Sequence, residues 1–559
     1  MRQDTIYRNA FANRQQPFLF DYRPTADKRL ARTVYTRGQI WDLALCAAAV
    51  LRQHGLTKGD THLHCFGANR MEDLIFRLAT TMTGTVPVTV NWEADTPGRV
   101  AYKQRLTNCK LVLSDDLFSP EHLAECDPTI PNYNVQNLHD MTPTEAEPIP
   151  LGEDDARIVI FTSGTTGQPK GALHHYRSYQ TNQNTFNDFL EPGRPFALVA
   201  ANALHHANAT ATCDWVMREP NAELHLIERY CTDYWRVLTD ISQRPLQTIV
   251  APVVARHFDF LAALETGNRL PVPLPELQEA LAKITLLIGS APVGPTTVQR
   301  IKHFAQKLPT VRFGSTETCL QVMGIAPTLE HDTVMRAFER GWAHEGGAGY
   351  YIGRPHAPHT RVQIVAGIDP DKPGYMEPRK PGVPGYVITQ GGNLMHAYVQ
   401  QPEATAAVMH QGWYTGLMDI GFWLESEGGE QDFYWMSRES TLLIRGGSNY
   451  AYDQINNELT GWLIEHAGLQ EVSFELAVVG LKLDSEHEDA CCVTLSLPEE
   501  IDAARRENIR GLLLEGKGIS KGARPNQVRF GPVPRNFKGA VLVPQLKEAF
   551  TRELGRPLK

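Results

Sequence analysis

Apolar runs of strand length alternate with longer helix-like stretches through the first three quarters of the chain. TIVAPVV (residues 248–254) is followed by HFDFLAALE, and ITLLIGSAPV (284–293) by TTVQRIKHFAQKL. An unbroken apolar run suits a strand buried on both faces, and a helix after each such strand is the crossover that parallel pairing needs. The pattern predicts α/β layering on largely parallel sheets. Another buried strand is predicted at 158–161, where RIVIF runs into a segment too rich in glycine to continue it.

The rhythm then changes twice. Between Gly341 and Gly385 glycine and proline thicken, and TRVQIVAG and PGYVITQ alternate as the short strands of a small β-rich subdomain do. After FYWMSRES the chain becomes a compact mixture, with ELAVVGLKL and ACCVTLSL strand-like and ENIRGLLLEG helical. A boundary near Ser437 and Arg438 predicts a large N-terminal domain of several subdomains, 1–437, and a smaller α+β domain, 438–559. The full 559 residues exceed what one hydrophobic core serves.

Composition removes whole classes. A chain 42% hydrophobic and 21% charged is neither disordered nor fibrous. The net charge of −9 gives no electrostatic reason to invoke nucleic acid or an anionic membrane surface. The N-terminal stretch has no continuous apolar core, and WDLALCAAAVL is too short to cross a bilayer, so a soluble cytoplasmic protein without a membrane span is expected. Nine scattered cysteines with no CxxC pair read as buried thiols in a reducing compartment.

The segment after the 158–161 strand carries the candidate chemistry. Gly164 and Gly167 permit positive φ and close backbone approach, Ser163, Thr165 and Thr166 add hydroxyl donors, and Lys170 adds a mobile positive charge. Phosphate oxygens would meet several donors at once there. The spacing is not the Walker pattern GxxxxGK[ST], and alone it also reads as a flexible loop.

TSGTTGQPKG resembles the signature loop of the adenylate-forming (ANL) superfamily, which contains acyl-CoA synthetases, nonribosomal peptide adenylation domains and luciferases. Further segments resemble that superfamily in the same order. They are YTRGQIWDLALCAAAVLRQHGLTKGD, RFGSTET at 312–318 for YGxTE, YIGRP at 351–355, and GGSNY at 446–450 for GGENI. The resemblance implies an enzyme that uses ATP and Mg²⁺ to activate a small carboxylic acid as its adenylate, with CoA as the next acceptor. Attack of a carboxylate on the α-phosphorus needs cations and donors to screen the anions.

Site residues follow from the same resemblance. Thr162, Ser163, Gly164, Thr165, Thr166, Gly167 and Lys170 would handle the β and γ phosphates, Glu317 would hold Mg²⁺, and Thr316 would contact the α-phosphate region. Gly289, Ser290, Ala291 and Phe313 would wall the adenine, with Gly314 and Ser315 in the same nucleotide turn. Phe313 stands where tyrosine is usual; it also reads as a core side chain ending a strand. In GWYTGLMDIGFW the ribose carboxylate is Asp419 if DIG sets the register, and is displaced if TG sets it; DIGFW favours Asp419. Arg438 matches a ribose- and hinge-associated arginine, or forms a surface ion pair. His206, beside His205, falls on the acyl-pocket histidine, or is a satisfied structural side chain. Asp214 reads as a capping or solvated carboxylate, or a contact to a polar substrate.

The C-terminal region departs from the pattern. The last motif usually presents lysine after glycine, as PRxxxGK, whereas PRNFKGAVL places Ala540 after Gly539, with Lys538 two residues earlier. Thr441, Tyr452, Gln454 and Asn456 depart in the same region. Three functions stay open: a CoA ligase, a relative that spends the adenylate on another bond (amide, lactone or nitrogen–nitrogen), and a noncatalytic nucleotide-binding homologue.

Overall fold

The computed structural model describes residues 2–145, 147–162, 169–193, 195–246, 248–289, 293–345, 349–438, 441–445, 448–470, 473–481, 483, 489–520, 522–535 and 541–555. The chain divides into two compact units. One comprises Met1–Met335, Ile352–Val362 and Ile388–Leu417, the other Arg336–Tyr351, Gln363–Val387 and Met418–Lys559.

In the first unit the apolar runs become parallel strands. Pro17–Pro24, Ala222–Ile227, Phe196–Ala200, Thr248–Val253, Ile284–Ile288 and Thr310–Phe313 lie side by side, each parallel to its neighbour. Leu30–Thr36 closes one edge antiparallel, and Met323–Gly324 pairs antiparallel with Thr310–Phe313. A second, seven-stranded sheet runs Ala397–Tyr398, Gly171–His175, Ala156–Phe161, Val86–Thr89, Thr61–Cys65, Leu111–Ser114, Asn132–Asn134. Its first two strands are antiparallel additions to a parallel set.

Helices fill the space between these sheets. The core joins Leu111 and Ile158 of one sheet and Leu198 and Val250 of the other through side chains of Arg37–Gln53, Met71–Thr83, Tyr176–Leu190 and Ala207–Met217. Thr36 and Gln39 form a capping box that starts the first of these helices. Gly84, at φ 68°, ends the second. Met71–Thr83 and Ala207–Met217 are buried at every position, so their polar side chains must be paired internally.

That requirement overturns the reading of Asp214 as a capping or solvated carboxylate. Asp214 is buried and accepts from Tyr7 at 2.8 Å, Arg157 Nη2 at 2.8 Å and Arg218 Nε at 3.0 Å. It fastens the N-terminal helix Gln3–Ala10 to the interior, because Arg218 also binds Gln3 at 2.8 Å. All nine cysteines are free thiols and seven are buried. Among the described residues no helix is long and apolar enough to cross a membrane.

In the second unit, Asp419–Glu425 and Gln431–Arg438 form an antiparallel hairpin. The ELAVVGLKL and ACCVTLSL segments are the antiparallel strands Glu475–Leu481 and Ala490–Ser496, and Gln527–Phe530 joins the latter in parallel. Helices Tyr452–Ala467, Ala503–Glu515 and Val543–Leu554 accompany them. These elements close their own core, from Leu443 through Leu463, Val479 and Leu513 to Phe550.

Candidate active site

The candidate phosphate loop leaves one strand and enters another. Phe161 pairs with Gly171 across the antiparallel strands Ala156–Phe161 and Gly171–His175. Just beyond, the Thr162 amide donates to the Lys170 carbonyl at 2.9 Å and the Lys170 amide to Thr162 Oγ1 at 3.4 Å. These bonds close the mouth of the loop. Ser163, Gly164, Thr165, Thr166 and Gly167 lie outside the described residues, as do Ser290, Ala291, Lys538 and Ala540.

The turn after strand Thr310–Phe313 folds back tightly on itself. A Cβ at Gly314 would sit 2.1 Å from the Leu320 carbonyl oxygen, so only glycine fits. The Leu320 amide donates to the Ser315 carbonyl at 3.1 Å, the Ser315 amide to Thr318 Oγ1 at 2.8 Å, and Cys319 and Leu320 take φ of 47° and 96°. Two non-glycine residues with positive φ store strain, which persists only where the surroundings fix it. Asn393 Nδ2 binds the carbonyls of Thr318 and Gln321 at 2.8 and 3.0 Å, and the Met395 amide donates to the Glu317 carbonyl at 2.7 Å. The turn is therefore stapled to residues 393–395, and Thr316 and Glu317 have fixed backbone positions.

Three side chains bring the loop and the turn together. Tyr398 donates its hydroxyl to Glu317 Oε1 at 2.9 Å, while Lys170 Nζ lies 5.0 Å from the centre of the Tyr398 ring. Burial, and then the Glu317 charge, push the Tyr398 phenol far above its ordinary range, so it stays a donor. The Tyr414 hydroxyl stands 3.5 Å from that of Tyr398, and burial with the Glu317 charge likewise holds it protonated. Behind Thr316, His174 Nε2 donates to the Thr316 carbonyl at 2.8 Å; burial lowers this imidazole to about 4, which leaves it neutral at pH 7. The buried Ser315 Oγ has no hydrogen-bond partner among the described residues. Sequence reasoning missed Tyr398, Tyr414 and His174.

The other expected residues are positioned as follows. Phe313 ends its strand half-buried, and Gly289 lies beside Arg312. His206 precedes helix Ala207–Met217, with its Nε2 3.1 Å from His205 Nε2; His205 in turn meets Trp92 edge-on at 4.3 Å. Asp419 and Arg438 belong to the second unit, where they face each other in register. Asp419 Oδ1 accepts from Trp435 Nε1 at 2.9 Å and from Arg438 Nε at 3.1 Å. In the alternative register, Thr415 Oγ1 binds the Val408 carbonyl at 3.2 Å.

Among the described residues no group of three or more His, Cys, Asp or Glu could hold a metal. A single carboxylate, steadied on one oxygen by Tyr398, fits Mg²⁺, which usually keeps several waters and takes the rest of its ligands from phosphates.

Comparison with known proteins supplies the family. The sequence pattern of the AMP-binding enzyme family matches residues 14–399. The 2-succinylbenzoate–CoA ligase of Bacillus licheniformis is 28% identical over 416 residues, 74% of this chain and 76% of that one. The indoleacetate–CoA ligase of Aromatoleum aromaticum is 26% identical over 411 residues, 72% of this chain and 69% of that one. The fold is that of ATP-bound MatB from Rhodopseudomonas palustris, with a TM-score of 0.76 at 20% identity over 98% of this chain and 99% of the other. It is equally that of the AMP complex of O-succinylbenzoate coenzyme A synthetase from Bacillus subtilis, with a TM-score of 0.75 at 19% identity over 100% of both chains. A fixed carboxylate, a lysine at the mouth of a glycine-rich loop and the match over 14–399 lead to one conclusion: the chain belongs to the AMP-binding enzyme family and is an AMP-forming ligase.

Proposed function

We propose that the enzyme activates a small carboxylic acid with ATP and passes the acyl group to the thiol of CoA. An oxygen of the acid attacks the α-phosphorus, the bond to the β-phosphate bridge breaks, and pyrophosphate leaves. The thiolate of CoA then attacks the acyl carbon and AMP departs. The observation that carries this reading is the convergence of Lys170 and Glu317 on Tyr398. Lys170 and the loop donors from Thr162 to Gly167 bind the β and γ phosphates. Thr316, its carbonyl held by His174, faces the α-phosphate region. Gly289, Ser290, Ala291, Phe313, Gly314 and Ser315 receive the adenine and its neighbourhood, while Asp419 and Arg438 receive the ribose. His206 borders the acyl group. Glu317 would hold Mg²⁺, which supplies neutralising charge to the phosphates when bound. The separate core from Leu443 to Phe550 supports reading 438–559 as a C-terminal lid domain.

The test is pyrophosphate release against a panel of acids, with and without CoA. Acid-dependent release, and thioester only when CoA is present, are expected. ATP binding by calorimetry without release for any acid would sink the ligase reading.

Ala540 favours a second reading, in which the adenylate is made slowly or spent on another acceptor. Losing one preorganised charge stabiliser costs about 3–4 kcal/mol, so a slow reaction survives. Ala540→Lys should then accelerate pyrophosphate release with ATP affinity unchanged. If Lys538 has taken over the role, Lys538→Ala abolishes release and Ala540→Lys adds little.

A further inference from the structure

Among the described residues of the first unit six arginines are buried, and five have their charge answered. Arg70 binds Asp115, Asp116 and Glu228, and Arg77 binds Asp73. Arg157 and Arg218 share Asp214. Arg37, without a carboxylate, donates to the carbonyls of Ala10, Glu219 and Ala222 and lies over the rings of Phe11 and Phe18. Arg312 differs from all of these. It is only 5% exposed, its Nε and Nη2 have no hydrogen-bond partner, and no carboxylate pairs with it among the described residues. Burial alone lowers it to about 10, which still leaves it a cation at pH 7.

An unanswered buried guanidinium costs several kcal/mol, so it persists where something outside the fold answers it. Its place identifies the visitor. Arg312 lies on strand Thr310–Phe313, one residue before Phe313 and the turn that carries Thr316 and Glu317. Its guanidinium packs on Gly289, where an added Cβ would come within 3.1 Å of Arg312 Cζ and Nη1. Glycine at 289 makes room for the cation within the segment assigned to ligand contact. The phosphates of ATP already have Lys170 and the hydroxyl-rich loop.

We propose that Arg312 recognises a second anionic group on the acid that this enzyme activates, so that a dicarboxylate or its equivalent is preferred over a monocarboxylate of the same size. The proposal rests on the ligase reading above. A planar guanidinium accepts a carboxylate through two parallel hydrogen bonds. A hydrocarbon tail in the same place leaves the charge unpaired, and that penalty is the source of discrimination.

Matched acids test it: butyrate against succinate, valerate against glutarate, benzoate against phthalate, each scored as kcat/KM for pyrophosphate release. The wild type should favour the diacid in at least one pair by about 100-fold. Arg312→Leu should erase that preference while ATP affinity, read by calorimetry, stays the same; Arg312→Lys should keep part of it. A wild type that prefers the monoacid throughout overturns the proposal, as does an unchanged preference in Arg312→Leu. Loss of ATP affinity in Arg312→Leu would make Arg312 a nucleotide ligand and overturn it too. If no acid releases pyrophosphate, the ligase reading fails separately. Arg312 is then scored by thermal unfolding with ATP present: a rise with succinate, glutarate or phthalate that is absent in Arg312→Leu sustains the proposal, and no rise overturns it. Should Arg312→Leu fail to fold, the wild-type acid pairs and Arg312→Lys decide.

Discussion

Two charged clusters of the first unit use the same residue types to opposite ends. Around Asp214, one carboxylate is saturated by Tyr7, Arg157 and Arg218, and all four side chains are buried. Around Glu317, one carboxylate oxygen takes a short bond from Tyr398, and Lys170 lies over the face of that tyrosine. Saturated charge holds a fold together, because breaking it strands a partner in low dielectric. Charge that is oriented but left unsaturated is available to a ligand. The same criterion separates Arg312 from the five other arginines described as buried in the first unit.

The largest expected effect breaks the first side of this contrast. Asp214→Asn leaves Arg157 and Arg218 short of a counter-charge and should destabilise the first unit by about 3–5 kcal/mol. Denaturant titration checks it, and an unchanged midpoint would mean that the cluster carries no structural load. Next, Glu317→Gln should slow pyrophosphate release by about 100- to 1,000-fold while the thermal midpoint moves by about a degree or less. A large fall in stability would instead put Glu317 in the same class as Asp214.

His174 sharpens the contrast, since it touches Thr316 yet titrates as an interior group. Its folded value of about 4 lies below the ordinary imidazole value near 6.5. With the folded value depressed, its contribution is complete above the unfolded pKa and is lost as pH falls toward the folded one. At pH 5 the loss should be about 2 kcal/mol. Stability profiles from pH 7 to 4 should therefore be flatter in His174→Gln, which keeps a nitrogen donor and does not titrate; parallel profiles would refute this. The smallest effect belongs to Tyr398→Phe. Removing one hydrogen bond to a charged group should lower turnover about 10-fold, with part of the loss recovered at high Mg²⁺. Unaltered kinetics across a Mg²⁺ titration would show that Glu317 is oriented without it.

The strands at 156–161, 248–253 and 284–288 were legible because each is a continuous apolar run followed by a polar or glycine-rich break. The loop and the turn were legible because their chemistry is local: glycines, hydroxyls and a lysine within ten residues, and a carboxylate in STET. What joins them was not. Tyr398 reaches Glu317 across 81 residues and Tyr7 reaches Asp214 across 207, and nothing in the flanking sequence marks either tyrosine as a partner. Asp214 looked like a solvated carboxylate because a helix position reveals exposure only where the helix has a polar face, and Ala207–Met217 has none exposed. Arg312 shows the limit most plainly, since the absence of a partner has no sequence signature.

The pairing of Phe161 with Gly171 has an electrostatic consequence. A phosphate loop that opens into a helix borrows roughly half a positive charge from the aligned peptide dipoles of that helix. Here the chain leaves the loop as the strand Gly171–His175, and neighbouring strand dipoles largely cancel. On the proposed assignment, the attraction for a polyanion comes from Lys170 and from individual amide and hydroxyl groups. Lys170 is solvent-exposed, so that attraction is open to screening by dissolved ions. Nucleotide capture by this enzyme should accordingly weaken as ionic strength rises.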